Sequence, residues 1–388
     1  MTEHIDKSIL TNLEYLIEQI AYTGYDPYDG LNSPILKFLC FGIPQLRLYA
    51  QQFIKRLPIN FRWLLGIKKG INPKGMGLIA IGYLNLYENT KENKYAEKAK
   101  AVLNWLKENP AKGYSGYCWG YNFDWQSRAF FLPAGTPTIV NTSFISRAFI
   151  KAYEIFKDKR YLDIARSSCD FILKDLNRFE DGDSLCFSYS PLDHYFVHNA
   201  TALASSLLAM VYEKTKEAIL LENAQKSLRY VAKHQQEDGS WYYGEDKTAR
   251  KTGIDNFHTG FVLESFKIYA SSTGDHSFDE NIKKGLEFYQ RNFFLPDGAP
   301  KYFYNKIYPL DIHSACQAII TLIQLKEYGS DMELCKRVYD WMMKNMWDER
   351  KGYFYYQKHK FFTNKIPYLR WSQAWAFCAL SICLKLTS

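Results

Sequence analysis

The feature that most constrains this chain is a long repeat. The segments VNTSFISRAFIKAYE (from Val140), HNATALASSLLAMVYE (from His198), DNFHTGFVLESFKIYA (from Asp255) and DIHSACQAIITLIQLKE (from Asp311) each open on polar residues and run on as apolar helices. Aligning Tyr153, Tyr212, Tyr269, Leu325 and Leu384 gives steps of 59, 57, 56 and 59 residues; Tyr87 precedes them by 66, which makes six units. Each of the first five is followed by an amphipathic helix, expected over 94–108, 160–176, 218–234, 278–292 and 331–346, with apolar faces such as Ala99, Val102, Leu103 and Leu106. The first set is apolar nearly all round, and a helix of that kind is buried on every side. Wholly buried and one-sided helices in alternation pack as an inner ring within an outer one. The sixth outer helix is expected from residues 8–22 (Leu10, Leu13, Leu16, Ile17, Ile20), beside the last inner helix at 369–386. One closed domain over 1–388 then needs no capping repeats.

This organisation resembles the (α/α)6 toroid superfamily, which includes six-hairpin glycosidases, sugar epimerases and terpenoid cyclases. The resemblance covers nearly the whole chain and implies an all-α toroid, an architecture shared by many chemistries. The hairpin ends share Gly-centred turns leading into short β-like aromatic runs: YSGYCWGY (from Tyr114), GDSLCFSY (from Gly182), DGSWYYGE (from Asp238), DGAPKYFYN (from Asp297) and KGYFYYQ (from Lys351). QQEDGSWYYG, from Gln235, resembles the QW repeat of squalene-type cyclases, where a Gln, a Gly and a Trp tie neighbouring hairpins together. Aromatics make up 17% of the residues, more than a core normally needs. They read either as staples at the helix connections or as the walls of a ligand site.

In such a ring the inner helices present equivalent ends to one mouth. Fourteen residues before each aligned position stand Pro73, Ile139, His198, Asp255, Asp311 and Arg370, so four consecutive units are polar at one level. His258 and His313 lie close by, and Asp124 reaches in from the loop after the first outer helix; these with His198, Asp255, Asp311 and Arg370 form the candidate catalytic set. Trp125, Gln126, Arg128, Asn199, Trp241, Tyr242, Asn256, Trp371 and Gln373 form the candidate substrate-binding set. Carboxylates and imidazoles supply acids and bases, amides bind hydroxyls, and flat rings stack on the C–H faces of a sugar. The competing reading is helix capping: Asp255 and Asp311 precede apolar runs, where a side-chain oxygen satisfies unpaired N–H groups. Capping does not explain three histidines at one level.

No cofactor or metal is expected. Asp311, His313 and Cys316 are residue types that prenyltransferases of this architecture use to hold zinc, and GYCWG around Cys118 loosely echoes lanthionine cyclases, but the Cys-His pair those cyclases need does not occur. The chain has no DDxxD or DxDD cluster and no P-loop, dinucleotide or nucleophile-elbow fingerprint. The eight cysteines are scattered without a CxxC pair and read as reduced thiols. No apolar run reaches the ~18 residues of a membrane span, and Met1 to Asp6 does not resemble a signal peptide, so a cytoplasmic protein is expected.

The net charge of +8 has a single source. Between Gly30 and Tyr87 stand eight basic residues (Lys37, Arg47, Lys55, Arg56, Arg62, Lys68, Lys69 and Lys74) and no acidic one, which leaves 41 against 41 elsewhere and gives no reason to expect nucleic-acid binding. The segment 30–75 reads as a strap or lid over the ring, or as a peripheral contact of residues 37–74 with an anionic membrane or acidic glycan. GYDPYDGLNSP followed by INPKGMGL looks like an uncharacterised bacterial family found alongside exopolysaccharide and capsule synthesis proteins. Three functions follow: an enzyme acting on a glycan or sugar by hydrolysis, elimination or epimerisation; a non-catalytic glycan-binding component of polysaccharide assembly; or a toroid for isoprenoid or lipid-linked-sugar chemistry.

Overall fold

In the computed structural model, which describes residues 7–384, the alternation of all-apolar and one-sided helices becomes two concentric rings. The inner ring is α4 (Pro73–Thr90), α6 (Ile139–Phe156), α8 (His198–Thr215), α11 (Asn256–Thr273), α13 (Ile312–Gln324) and α15 (Ala374–Cys383), the last entered through a π-helical turn over Leu369–Gln373. Each packs on the next, and α15 returns to α4, so the ring closes. Outside it lie α5 (Asn93–Glu108), α7 (Lys159–Asp175), α9 (Ala218–Lys233), α12 (Asp279–Asn292) and α14 (Met332–Met346), with α1 (Lys7–Gln19) against α15. α1 buries Ile9, Leu10, Leu13 and Ile17. The tail of the expected last inner helix, residues 385–386, lies outside the described residues.

The repeat is written into the backbone at both helix ends. Lys91, Lys157 and Lys216 end α4, α6 and α8 in the left-handed conformation, and their N–H groups bond to the carbonyls of Tyr87, Tyr153 and Tyr212. At the other end the N-cap row reads Asn72, Thr138, Val197, Asp255 and Asp311. Equal spacing from the aligned residues therefore slips by one: His198 is the first residue of α8, whereas Asp255 and Asp311 precede theirs. The cause is variation at the far ends, where α11 finishes on Gly274 and α13 on a non-left-handed turn at Leu325.

The hairpin connections behave as staples. The Trp119 and Trp241 indoles donate to the Leu106 and Val231 carbonyls, each in the last turn of the preceding outer helix. Gln235 donates to the Gly239 carbonyl and to that of Asn281 on α12. Gly239 has a positive φ, and a Cβ there would stand 2.3 Å from the Lys284 carbonyl oxygen, so only glycine lets the turn close on α12. The strands of these connections are short; the largest sheet is antiparallel, in the order Thr363–Asn364, Gln357–Lys358, Lys306–Asp311, Lys301–Phe303, and delivers Asp311 to the start of α13.

Residues 24–70 leave the ring and return to it. Gly24 and Gly70 exchange paired 3.0 Å backbone bonds at the base of this excursion, which carries α2 (Pro34–Leu39) and α3 (Pro44–Arg56) across the end of the ring where the inner helices begin.

Candidate active site at the mouth of the ring

The starts of α11 and α13 supply the chemistry. Asp255 Oδ1 accepts the His258 backbone N–H at 2.9 Å as a cap, while Oδ2 lies 2.6 Å from His258 Nδ1. A buried carboxylate can only accept, so the ring's proton sits on Nδ1 and Nε2 is left as a base. His258 is partly exposed and lies beside Tyr243, with ring centroids 4.9 Å apart. Capping and chemistry are therefore not exclusive at Asp255, because its two oxygens serve both.

Asp311 is sealed from solvent. It accepts from the His313 N–H at 2.7 Å, Gln357 Nε2 at 2.5 Å and Trp371 Nε1 at 3.0 Å, and burial pushes its carboxyl up to about 6. His313 stacks between Phe257 and Trp375, with centroids 4.4 and 4.3 Å away, and neither ring nitrogen has a partner. Burial, then the charges of Lys74 and Arg370, hold its pKa well below the ordinary value, so it is a neutral imidazole in an aromatic slot. Arg370 is also buried, and grips both oxygens of Asp26 at 2.5 and 2.7 Å; burial works against its charge, but Asp26 outweighs it.

The remaining expected residues divide by what they touch. Trp125 and Trp371 both stand against Tyr28, 6.4 and 5.5 Å between centroids, and form one aromatic wall. His198 and Asn199 line a crevice with Asp255, His258, Trp241 and Tyr242. Asn256 accepts from the Tyr289 hydroxyl. The Gln126 backbone pairs with the Gln51 side chain of α3, the Gln126 side-chain amide donates to the Ser127 and Phe130 carbonyls, and Gln373 spends both ends of its amide on the Phe354 backbone, which commits both amides to the scaffold. Trp241 is a buried staple whose ring borders the crevice floor. Asp124 pairs with Lys37 and accepts from the Ala134 N–H, at 2.8 Å each, at the rim; Arg128 is exposed and donates to the Lys251 carbonyl.

Sequence reasoning missed four residues that the fold brings here. Asp26 and Tyr28 come from the GYDPYDG turn, outside the helical repeat, and Lys55 of α3 donates to the Tyr28 hydroxyl at 2.6 Å. Lys74 follows the first proline of α4; it is buried, with Nζ 4.2 Å from the Phe144 centroid, and burial followed by Arg370 holds its pKa well below the usual value. The available signal was the GYDPYDGLNSP and INPKGMGL elements, since both end up at the mouth. With the excursion in place the crevice is about 10 Å³, room for about one water. A larger depression, about 460 Å³, lies apart from it, between α12 and α14 on the outer ring.

A closed inner ring of six helices, sheathed by amphipathic ones and opening on an aromatic, acid-and-imidazole mouth, places this chain among the (α/α)6 toroids. Residues 74–256, from α4 to the start of α11, match the family described as Glycosyl Hydrolase Family 88. Three solved structures share the fold. A sugar epimerase from a ruminal bacterium superposes with a TM-score of 0.64 at 16% identity, covering 82% of this chain and 90% of its own. Cellobiose 2-epimerase from Bacillus thermoamylovorans gives 0.64 at 11%, with 98% and 100% covered. A family 88 glycosyl hydrolase from Bacteroides vulgatus gives 0.58 at 10%, with 81% and 93% covered. No curated protein matches the sequence. The family match and the neighbours together support a carbohydrate-active enzyme.

Proposed function

We propose that this protein transfers protons on a sugar or glycan at the mouth of its ring, with His258 as the base. The observation that carries this reading is the Asp255–His258 pair, in which a buried carboxylate fixes the tautomer of a partly exposed imidazole and stabilises the imidazolium that forms on proton uptake. Hydrolysis by a free carboxylate pair is the weaker fit, since each acid near the mouth is committed: Asp26 to Arg370, Asp124 to Lys37, and Asp311 to three donors. Epimerisation, isomerisation or elimination needs a base and a group that returns the proton. Asp311 is sealed and held by three donors, so the imidazolium formed at His258 is the group that returns the proton. Trp125, Trp371 and Tyr28 supply stacking faces. The excursion over 24–70 acts as a lid that shifts to admit the substrate. A place in bacterial polysaccharide metabolism belongs to this proposal, and the eight buried, free cysteines support a reducing compartment.

The test is incubation of the protein with reducing sugars and oligosaccharides in D2O, followed by NMR. Deuterium should enter a C–H next to a carbonyl; His258→Ala and Asp255→Asn should each lower the rate by roughly 10²- to 10⁴-fold, with little change in Tm because Asn keeps the cap. Glycan cleavage that survives His258→Ala refutes the assignment. Ligand binding without turnover would support a binding protein instead.

A second contact rests on the lid's outer face. Twelve of the twenty exposed large apolar side chains among the described residues lie between Ile35 and Leu64, including Phe38, Phe41, Tyr49, Phe53 and Trp63. The same stretch of chain carries exposed Lys37, Arg56, Lys68 and Lys69 and no acid of its own, with Lys37 paired to Asp124. We propose an anionic lipid surface as the partner, because an acidic glycan would match the charge and stack on the rings but leave Ile35, Leu39, Ile43, Leu46, Ile59 and Leu64 in water. No described helix is long and apolar enough to cross a membrane. The chain should sediment with anionic vesicles and not neutral ones, release with salt, and lose binding in Phe38→Ser/Phe41→Ser. Equal recovery with both vesicle types, or binding to an acidic glycan alone, refutes it.

A further inference from the structure

Three polar atoms converge in the third hairpin without a donor between them. His198 opens α8, His234 follows the last residue of α9, and Glu245 lies on the loop before the short helix α10 (Lys247–Arg250). His198 Nδ1 is 2.8 Å from the Tyr242 carbonyl oxygen, and His234 Nδ1 is 2.8 Å from that of Tyr230. A carbonyl only accepts, so both rings carry their proton on Nδ1, and in the neutral form each Nε2 is a bare lone pair. His198, His234 and Glu245 each offer one ligand atom, and these lie within 4.8 Å of one another. His198 Nε2 and Glu245 Oε1 face each other at 3.3 Å, buried, with neither in a hydrogen bond. The lone pairs of His198 Nε2 and Glu245 Oε1, both out of reach of water, repel unless a cation lies between them.

The spacing suits a metal. Two ligands at about 2.0–2.1 Å from a tetrahedral Zn²⁺ stand about 3.3 Å apart, which is the separation of His198 Nε2 from Glu245 Oε1. A backbone carbonyl holding the other ring nitrogen is the arrangement that orients metal-binding imidazoles. Arg250 holds the other oxygen of Glu245 at 2.7 Å, leaving Oε1 to bind alone.

We infer that His198, His234 and Glu245 form a site for a zinc-like divalent transition-metal ion, with one position left for water. Two imidazoles and one carboxylate favour such ions over Mg²⁺ or Ca²⁺. The ion would tie α8 and the end of α9 to the loop 241–246. That loop also carries Tyr243, whose carbonyl accepts the His198 N–H at 3.1 Å and whose ring lies against His258. Metal loading would thereby stiffen one wall of the mouth.

The full-length protein, freed of metal with EDTA, should bind one equivalent of Zn²⁺ by calorimetry and give the visible absorption of four- or five-coordinate Co²⁺, with excess Mg²⁺ not competing. Tm should rise with Zn²⁺. His234→Ala and Glu245→Gln, at partly exposed positions that leave the core intact, should each weaken binding by more than the 10- to 100-fold typical of losing an outer-layer partner. Absence of stoichiometric binding, or equal affinity in wild type and both variants, overturns the inference. So does a metal-free protein in which Glu245→Gln changes only the pH dependence of unfolding, since a protonated imidazole then holds the group together. None of these readouts depends on sugar turnover.

Discussion

Replacing Asp26 by alanine should release the lid and destabilise the protein by about 3–5 kcal/mol. Asp26 and Arg370 are 4% and 3% exposed, and the carboxylate meets the guanidinium through two bonds of 2.5 and 2.7 Å. Arginine does not lose its proton in proteins, so Asp26→Ala leaves a buried charge with no counter-ion. Asp26 also accepts the Tyr28 N–H through Oδ1, and its carbonyl accepts from Arg62, so the turn that places Tyr28 loosens with it. Against a total stability of about 5–15 kcal/mol this is a large fraction. The effect should appear as a lowered urea midpoint and faster proteolytic cleavage within residues 30–66. Removing both charges behaves differently, because a well-packed apolar pair often matches a buried ion pair. Asp26→Leu/Arg370→Met should recover to within about 1 kcal/mol of wild type. A single variant that loses less than about 1 kcal/mol, or a double variant as unstable as the single, would refute the reasoning.

Asp311 is raised from 3.8 to about 6 by burial, so the folded protein holds a proton that the unfolded chain releases. Stability from this group is fully present below about pH 4 and falls as pH rises through 6, by about 3 kcal/mol at 1.36 kcal/mol per unit; Asp311→Asn should flatten that part of the stability–pH curve, and an unchanged slope would contradict it. Trp241→Phe removes the bond to the Val231 carbonyl and should cost about 1–3 kcal/mol while leaving ligand affinity unchanged in calorimetry; lost affinity would make Trp241 a binding residue. We propose that α1 completes the outer ring, so deleting residues 1–19 should uncover the apolar face that Ile9, Leu10, Leu13 and Ile17 bury, at about 1.5–3 kcal/mol each. A truncated chain that kept its Tm would contradict this.

The periodicity of the chain determined which helices are buried on all sides and which on one, and hence the inner and outer rings. That was legible because a helix's apolar pattern is a local property, set by its own 3.6-residue turn. The Asp255–His258 pair was within reach for the same reason: a cap and the third helical residue meet whatever surrounds them. Exact levels were harder. A helix may end one residue early or late without changing its buried face, which is how His198 and Asp255 came to be placed at one level although they differ by one position. What covers the mouth was decided by tertiary structure alone. Asp26 and Arg370 are 344 residues apart, and Gly24 meets Gly70 only because the excursion folds back over the ring. The metal-like group spans an inner helix, an outer helix and a loop, with no motif spacing to announce it. Such pairings depend on where remote segments are brought together by closure of the ring, and a pattern of apolar and polar residues carries no distance between segments that are far apart in sequence.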